Sequence, residues 1–552
     1  MYPSEPFLHF VDDYLAHLQE VVPGDASLDG CHAHDDLLED VSRPGLEGHL
    51  RALAGYSRRL RQIDRSSLRP EEQVDHRILA ADAEARAFDL DQVRAWERNP
   101  RYYANILATS LASQILFAYA PDSERGRRVL SKLRQVPRFV QAVRDNITEP
   151  AGIFVKTAQE AWRGIVDLIE KDLPRAFTAL DDLHLLGDLA DASTEAVTSI
   201  REYLSYLETD LSPRAKASFR FGRATFEQKL RLDEGVTLDA DRLLQIALRE
   251  LAEVQEQFRQ VAGKVGTGDP VALWHSARAE HPEAGALVTN ATEQVKEIVE
   301  FLTRRNLVSL PAGVPVVVAP SPRGYRWVAA SMWTPGPFEN NPGQAHFYVT
   351  EVDRTWDEAR QREHLSDFSY PAMWSVAAHQ TYPGHYLHAQ QLRKVASKVR
   401  KSRFFASACS VEGWAHYGEQ MVLDAGFHRG DAIVRLGQLA RALVHLARGV
   451  VAVRLHCEDL SVEQGMRFFR DQAFLDEAAA RREAERGTFD PMYLVGALGK
   501  QMLLKLRHHS EEELGASFSL RTFHDSFLAQ GTAPFWAHRR LMLRDGSDAP
   551  PD

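Results

Sequence analysis

The sequence predicts a mainly α-helical protein with one small antiparallel β-sheet set into it at about residues 310–353. Three observations carry that prediction. Apolar residues recur at three- and four-residue spacing through most of the chain, the pattern changes to β-branched and aromatic runs near residue 305, and helical spacing returns near 355.

In chain order, the helical stretches are 7–21, 44–63, 69–90, 102–120, 152–182 and 240–264. In the last of these, Leu243, Leu244, Ala247, Leu248, Leu251 and Val254 form one stripe, the signature of a helix face packed on a core. No internal repeat is detectable. Three strand-forming runs follow: VPVVVAPSP (314–322), YRWVAASMW (325–333) and AHFYVTEVD (345–353). The turn cluster TPGPFENNPGQ separates the last two. The chain therefore divides into a helical region, 1–305, and a region 306–552 holding the sheet and further helices, joined as one unit around a central cleft. The closing GSDAPPD reads as a frayed tail.

Composition excludes several function classes. With 44% hydrophobic and 26% charged residues the chain is an ordinary globular one, not a disordered one. A net charge of −11 gives no concentrated basic face, so a nucleic-acid partner is not expected. The short basic run at Lys398, Arg400, Lys401 and Arg403 reads as a solvated helix end. Cys31, Cys409 and Cys457 are odd in number and widely spaced, which suits reduced thiols. The N-terminal residues lack a basic stretch followed by an apolar one, and no run approaches the roughly 18 apolar residues of a membrane span. These features predict a cytoplasmic protein without a membrane partner. No glycine-rich phosphate loop or G-x-S-x-G elbow is present, and Cys409 lacks a cysteine-protease signature.

Chemistry concentrates in PAMWSVAAHQTYPGHYLHAQQL, residues 371–392. Zinc favours imidazole and carboxylate donors, and a catalytic site uses three of them with one position open. Two histidines on one helix face normally stand four residues apart. His379 and His385 are six apart, which on an unbroken helix leaves the rings about 120° out of line. Pro383 and Gly384 lie between them and favour a break that can bring the rings together. Histidine is abundant, with 22 copies, so the pair alone carries little weight.

A second stretch adds to it. In SACSVEGWAHYGEQMV (407–422), Glu412 sits among small and apolar residues, where a carboxylate is costly unless paired or metal-bound. Two explanations stand: a metal ligand, or a carboxylate at a helix N-terminus capped by Ser410. Glu419, two turns on, is either an alternative ligand or an outer acceptor for a ligating histidine. His416 reads as a surface histidine.

HQTYPGHYLH (379–388) and EGWAHYGE (412–419) resemble the two motifs of the bacterial domain-of-unknown-function 885 family, whose members are treated as relatives of helical zinc metallopeptidases. FHDSFLAQGTAP (523–534) resembles the family's C-terminal segment. The resemblance implies a large helical, metallopeptidase-like array and a probable Zn2+ cofactor held by His379, His385 and Glu412. It implies hydrolysis of a peptide or small amide. The chain departs from the family pattern at three places: Gln380 replaces a glutamate, Tyr386 a histidine and His388 a glutamine.

The first departure bears on mechanism. In a metallopeptidase the ion polarises the substrate carbonyl and lowers the pKa of its water to about 7, while a glutamate shuttles the proton, a contribution of roughly 10²–10⁴-fold. Glutamine keeps the shape and loses the basicity. The expected outcome is retained metal with altered or much reduced hydrolysis, the alternative being an inactive relative that binds a peptide or metabolite in the cleft. Candidates for a relocated base are His388, Glu419 and Tyr382. Tyr493 and His524-Asp525 are weaker candidates for hydrogen bonds to a developing oxyanion. Arg326 and His346 would lie near substrate if the strands form a wall of the cleft.

Overall fold

The computed structural model describes residues 5–313, 315–326 and 328–544. The tail expected at 546–552 falls outside them, as do Val314 and Trp327 of the strand-forming runs. Helix dominates, as the periodicity predicts. The stripe at 240–264 becomes the helix Ala240–Val265, started by the Asp239 side chain, which accepts from Arg242 N at 2.7 Å. The N-terminal array also contains Asp122–Asn146 and Leu183–Tyr206, which pack on one another.

Three apolar cores form. One gathers residues 38–211, and a second joins the first helices to Phe405, Ala533 and Trp536 near the other end of the chain. The third and largest takes in Phe226 to Leu302 together with Phe347 to Leu543, so it spans the change of character at residue 305. At its centre runs Ala432–Cys457. This helix is long and apolar enough to cross a membrane, but 83% of its most apolar window is buried in the protein, as a core helix requires.

The sheet has three strands, β1 (Val317–Pro320), β2 (Ala330–Trp333) and β3 (His346–Val349), in the order β1-β3-β2. Its pairing corrects the antiparallel expectation. β2 and β3 are antiparallel, with Ala330 opposite Val349, but β1 and β3 are parallel, with Val317 opposite His346. The turn cluster after β2 closes a hairpin with β3. That leaves only the far edge of β3 to β1, which reaches it through the β2 crossover, as a parallel pair needs. Pro320 closes β1 on that edge, where no further ladder donor is required.

Glycines let the helices that carry the site approach closely. A Cβ on Gly499 would stand 1.9 Å from the Cys409 carbonyl oxygen, where Val495–Leu514 crosses Ala408–Asp424. A Cβ on Gly437 would stand 2.1 Å from the Pro371 carbonyl oxygen, where Ala432–Cys457 crosses Tyr370–Gln380. Interior glycine costs roughly 0.5–1 kcal/mol in a helix, and here that cost is offset by backbone contact.

Candidate metal centre

The helix Tyr370–Gln380 stops after Gln380, and a new helix, His385–Leu392, begins five residues later. Gly384 N donates back to the Ala378 carbonyl at 3.0 Å, which folds the break tightly against the first helix. A side chain at Gly384 would meet the His379 carbonyl oxygen at 1.8 Å, so only glycine fits. The indole of Trp414 fastens the turn from the other side, donating to the Pro383 carbonyl at 2.8 Å. The result places the His379 and His385 rings 4.8 Å apart between centroids and nearly perpendicular, at 87°.

Glu412 enters from Ala408–Asp424. This helix begins with Ser407, not Ser410: the Ser407 hydroxyl accepts from Ser410 N at 3.1 Å. Glu234, from Arg223–Glu234, accepts from Ala408 N at 2.9 Å and Cys409 N at 3.2 Å. The terminal amides are thus already served, and Glu412 lies beyond them with its carboxylate facing the two imidazoles.

One oxygen of Glu412 is 3.7 Å from His379 Nε2 and the other 3.7 Å from His385 Nε2. Those gaps are too long for hydrogen bonds. They are close to the roughly 3.4 Å expected between donor atoms held tetrahedrally about 2.1 Å from a zinc ion. All three donor atoms lie within 4.8 Å of one another, and the Glu412 side chain is 41% exposed, leaving one side open. The donor set therefore fits a zinc-type ion with a free position.

The electrostatics treat the two imidazoles differently: ligation needs neutral rings, a state that His385 meets and that the raised pKa of His379 opposes. Burial works to lower the His379 pKa, but the carboxylates of Glu412 and Glu419 on its two sides outweigh it and hold it above its ordinary value. Burial drives His385 down to about 4, which keeps its ring neutral and ready to coordinate. Burial would raise Glu412, yet His385 and His379 hold it far below the usual carboxylate range.

Glu419 is the outer partner of His379. It is fully buried and accepts from His379 Nδ1 at 2.7 Å, Ser375 Oγ at 2.7 Å and Arg441 Nε at 3.2 Å. A carboxylate behind a ligating imidazole fixes its tautomer and raises its basicity. His416, expected at the surface, is buried and stacks on His445 at 4.2 Å. Burial pushes His416 down to about 4 and His445 well below its ordinary value, so the stacked pair is neutral. These two and Glu419 also form a compact group of donors, but Arg441 already faces the Glu419 carboxylate there and opposes a cation.

A cavity of about 1030 Å³ is lined in part by Gln380, Arg441 and His445, which adjoin the donor-bearing helices, while the three donors are not among its described lining residues. Gln380 lines it, next in the chain to His379. The other candidates lie elsewhere. The His388 imidazole is buried and donates to the Gly531 carbonyl at 3.2 Å. His524 bridges the Tyr417 hydroxyl and the Leu307 carbonyl, and Asp525 accepts from Ser309 N and Oγ. Tyr382 stacks edge-on against Tyr386. Tyr493 is buried, its hydroxyl without a hydrogen-bond partner, behind the cavity arginines Arg448 and Arg486. Arg326 pairs with Asp353 at 3.5 Å, and His346 stacks on Tyr348. The sequence reading missed Arg441 and His445. Their signal was the four-residue spacing of Gly437, Arg441 and His445 along one face of a mostly apolar helix.

The profile of the family described as "Bacterial protein of unknown function (DUF885)" matches residues 23–541. The chain belongs to this family. No curated protein matches the DUF885 chain by sequence. Two solved structures share its fold. One, described as a "putative lipoprotein of unknown function" from Shewanella oneidensis, is 24% identical with a TM-score of 0.80, over 98% of this chain and 100% of that one. The other, described as the "putative lipoprotein" from Colwellia psychrerythraea, is 16% identical with a TM-score of 0.80, over 97% and 98%.

Those descriptions overturn the cytoplasmic location expected of the DUF885 chain. Both solved proteins are described as "putative lipoprotein", which points away from the cytoplasm. Three unpaired cysteines exclude only a disulfide framework among themselves, and that absence suits either compartment.

Proposed function

We propose that this DUF885 protein binds a zinc ion through His379, His385 and Glu412 and acts as a slow or altered hydrolase of peptides or small amides. The observation that carries the reading is the pair of 3.7 Å gaps, each too long for a hydrogen bond and each suited to an ion shared between imidazole and carboxylate. A bound zinc ion would supply Lewis acidity toward a carbonyl group and a nucleophile at neutral pH.

The chain's own residues set the rest. His379 and His385 present Nε2 toward the open side, and Glu419 holds the His379 ring by its far nitrogen. Gln380, on the cavity wall, can orient a water or an amide N–H through its carbonyl oxygen. It accepts no proton at neutral pH. Glu483 and Asp490, which also line the cavity, are gripped by Arg448 and Arg486. That engagement favours a second reading, a pseudo-peptidase whose cavity binds a peptide or metabolite without turning it over.

Comparing the unaltered protein with Gln380→Glu decides between them: slow cleavage by the unaltered protein supports the hydrolase, and cleavage by Gln380→Glu alone supports the binding role. In the hydrolase scaffold the substitution should raise cleavage of a peptide library by roughly 10²–10⁴-fold at unchanged zinc content. Purified protein that takes up no zinc, or whose zinc survives His379→Ala, removes the hydrolase reading and leaves the binding role to be tested by ligand titration. A Gln380→Glu variant that holds zinc and cleaves nothing leaves the binding role.

A further inference from the structure

The cavity wall carries more cation than anion. Among its described lining residues are seven arginines and five carboxylates, in a chain whose net charge is −11. Several of these arginines are neutralised in place. Arg448 donates to both Glu483 oxygens at 2.7 and 2.6 Å, Arg486 holds Asp490 at 3.0 and 2.8 Å, and Arg278 joins Asp367 and Asp476. Arg323 stands exposed on the Arg323–Tyr325 turn beside Asp353.

Arg441 differs from them. It lines the cavity together with Gln380 and is one helical turn from His445. Its Nε donates to Glu419 Oε1 at 3.2 Å, and neither terminal nitrogen bonds to a described residue. Glu419 divides its charge among His379, Ser375, His416 and Arg441, so it does not neutralise the guanidinium alone. The Nε contact fixes the plane of the group. The two terminal nitrogens are left as a rigid fork on a side chain that is 29% exposed, and such a fork matches the two oxygens of a carboxylate.

We propose that the cavity takes a substrate ending in a free carboxylate, a short peptide or an N-acyl amino acid, and that the terminal nitrogens of Arg441 hold that carboxylate. This rests on the hydrolase-type reading above and adds the substrate class to it. The anchor lies one carboxylate away from a donor imidazole, through gaps of 3.2 and 2.7 Å. The cavity, about 1030 Å³, is at the upper end of the roughly 300–1,000 Å³ of small-ligand sites. It suits a short peptide. The site would thus work from a C-terminus.

Zinc-loaded full-length protein is titrated calorimetrically with trialanine and with trialanine amide, and its zinc content is measured on the same sample. The acid should bind at least tenfold tighter. R441Q should lose that preference and R441K keep part of it, both with unchanged zinc. Equal or undetectable binding of acid and amide by a zinc-loaded sample overturns the anchor, as does a preference that survives in R441Q. Inorganic phosphate that displaces trialanine and binds more tightly also overturns it, in favour of a phosphate ligand. A sample that holds no zinc and still prefers the acid supports the anchor while refuting the metal reading. If R441Q fails to fold, the acid–amide comparison in the unaltered protein decides alone.

Discussion

Glu419→Gln separates the charge of the outer carboxylate from its shape. Glu419 is fully buried, with four donors within hydrogen-bond distance: His379 Nδ1, Ser375 Oγ, Arg441 Nε and, at 3.4 Å, His416 Nδ1. A glutamine fits the same space. Its carbonyl oxygen takes the Oε1 position toward His379 and Arg441, and its amide nitrogen takes the Oε2 position, where the Ser375 hydroxyl rotates from donor to acceptor. The polar contacts survive, and the negative charge behind the imidazole is lost. Removing such a partner typically weakens metal binding 10- to 100-fold, or about 1.4–2.7 kcal/mol. Arg441 also loses a counter-charge, but it is 29% exposed and solvent screens much of that loss. The assay is zinc affinity by competition with a chelating dye, with far-UV circular dichroism as the check on folding. Glu412→Gln, which alters an inner donor, should weaken zinc further. An affinity for Glu419→Gln within twofold of the unaltered protein, at unchanged fold, would refute the claim that Glu419 acts through His379.

Other expectations concern the frame. Gly499→Ala drives a methyl group to 1.9 Å from the Cys409 carbonyl oxygen, and overpacking of this kind costs about 1–3 kcal/mol. Urea unfolding should show a loss in that range, and zinc affinity should fall with it, since Glu412 rides on the displaced helix; a loss near zero means the crossing is slack. Lys132 supplies a pH signature. Burial holds its ammonium down at about 8, with the nearby Asp35 and Glu39 only partly offsetting it, while the unfolded value is near 10.4. Between those pH values the unfolded chain binds the extra proton, so stability rises with pH across the window, by about 3 kcal/mol in full. Urea midpoints at pH 8, 9 and 10 should climb in the unaltered protein and climb less in Lys132→Met, the remaining rise coming from buried Lys500, which is also held down at about 8; parallel curves would show that Lys132 is not a contributor.

The helical frame was legible because each core-facing stripe repeats within its own segment, as Leu243 to Val254 does in Ala240–Val265. The three donors were legible because the odd His379–His385 spacing and the Pro383-Gly384 insert explain one another. What escaped depends on partners distant in sequence. The parallel pairing of β1 with β3 is set by which edge the hairpin leaves free, and local pattern does not encode it. Ser407 and Ser410 look alike as caps, and the choice is made by Glu234, which docks 173 residues away in sequence. Arg441 and His445 lie on a mostly apolar helix among several other polar residues, and only the neighbouring Glu419 and the cavity give those two residues a purpose.

Glu234 has a consequence for how the donor set assembles. The helix that presents Glu412 is fastened at its first turn by a side chain from Arg223–Glu234, far upstream of both histidine-bearing helices. An excised peptide carrying both histidines and Glu412 would lack that fastening and would have no fixed bite for an ion. Glu234 leaves the ribosome before the helix it fastens, so the helix that carries Glu412 meets its anchor as soon as it forms.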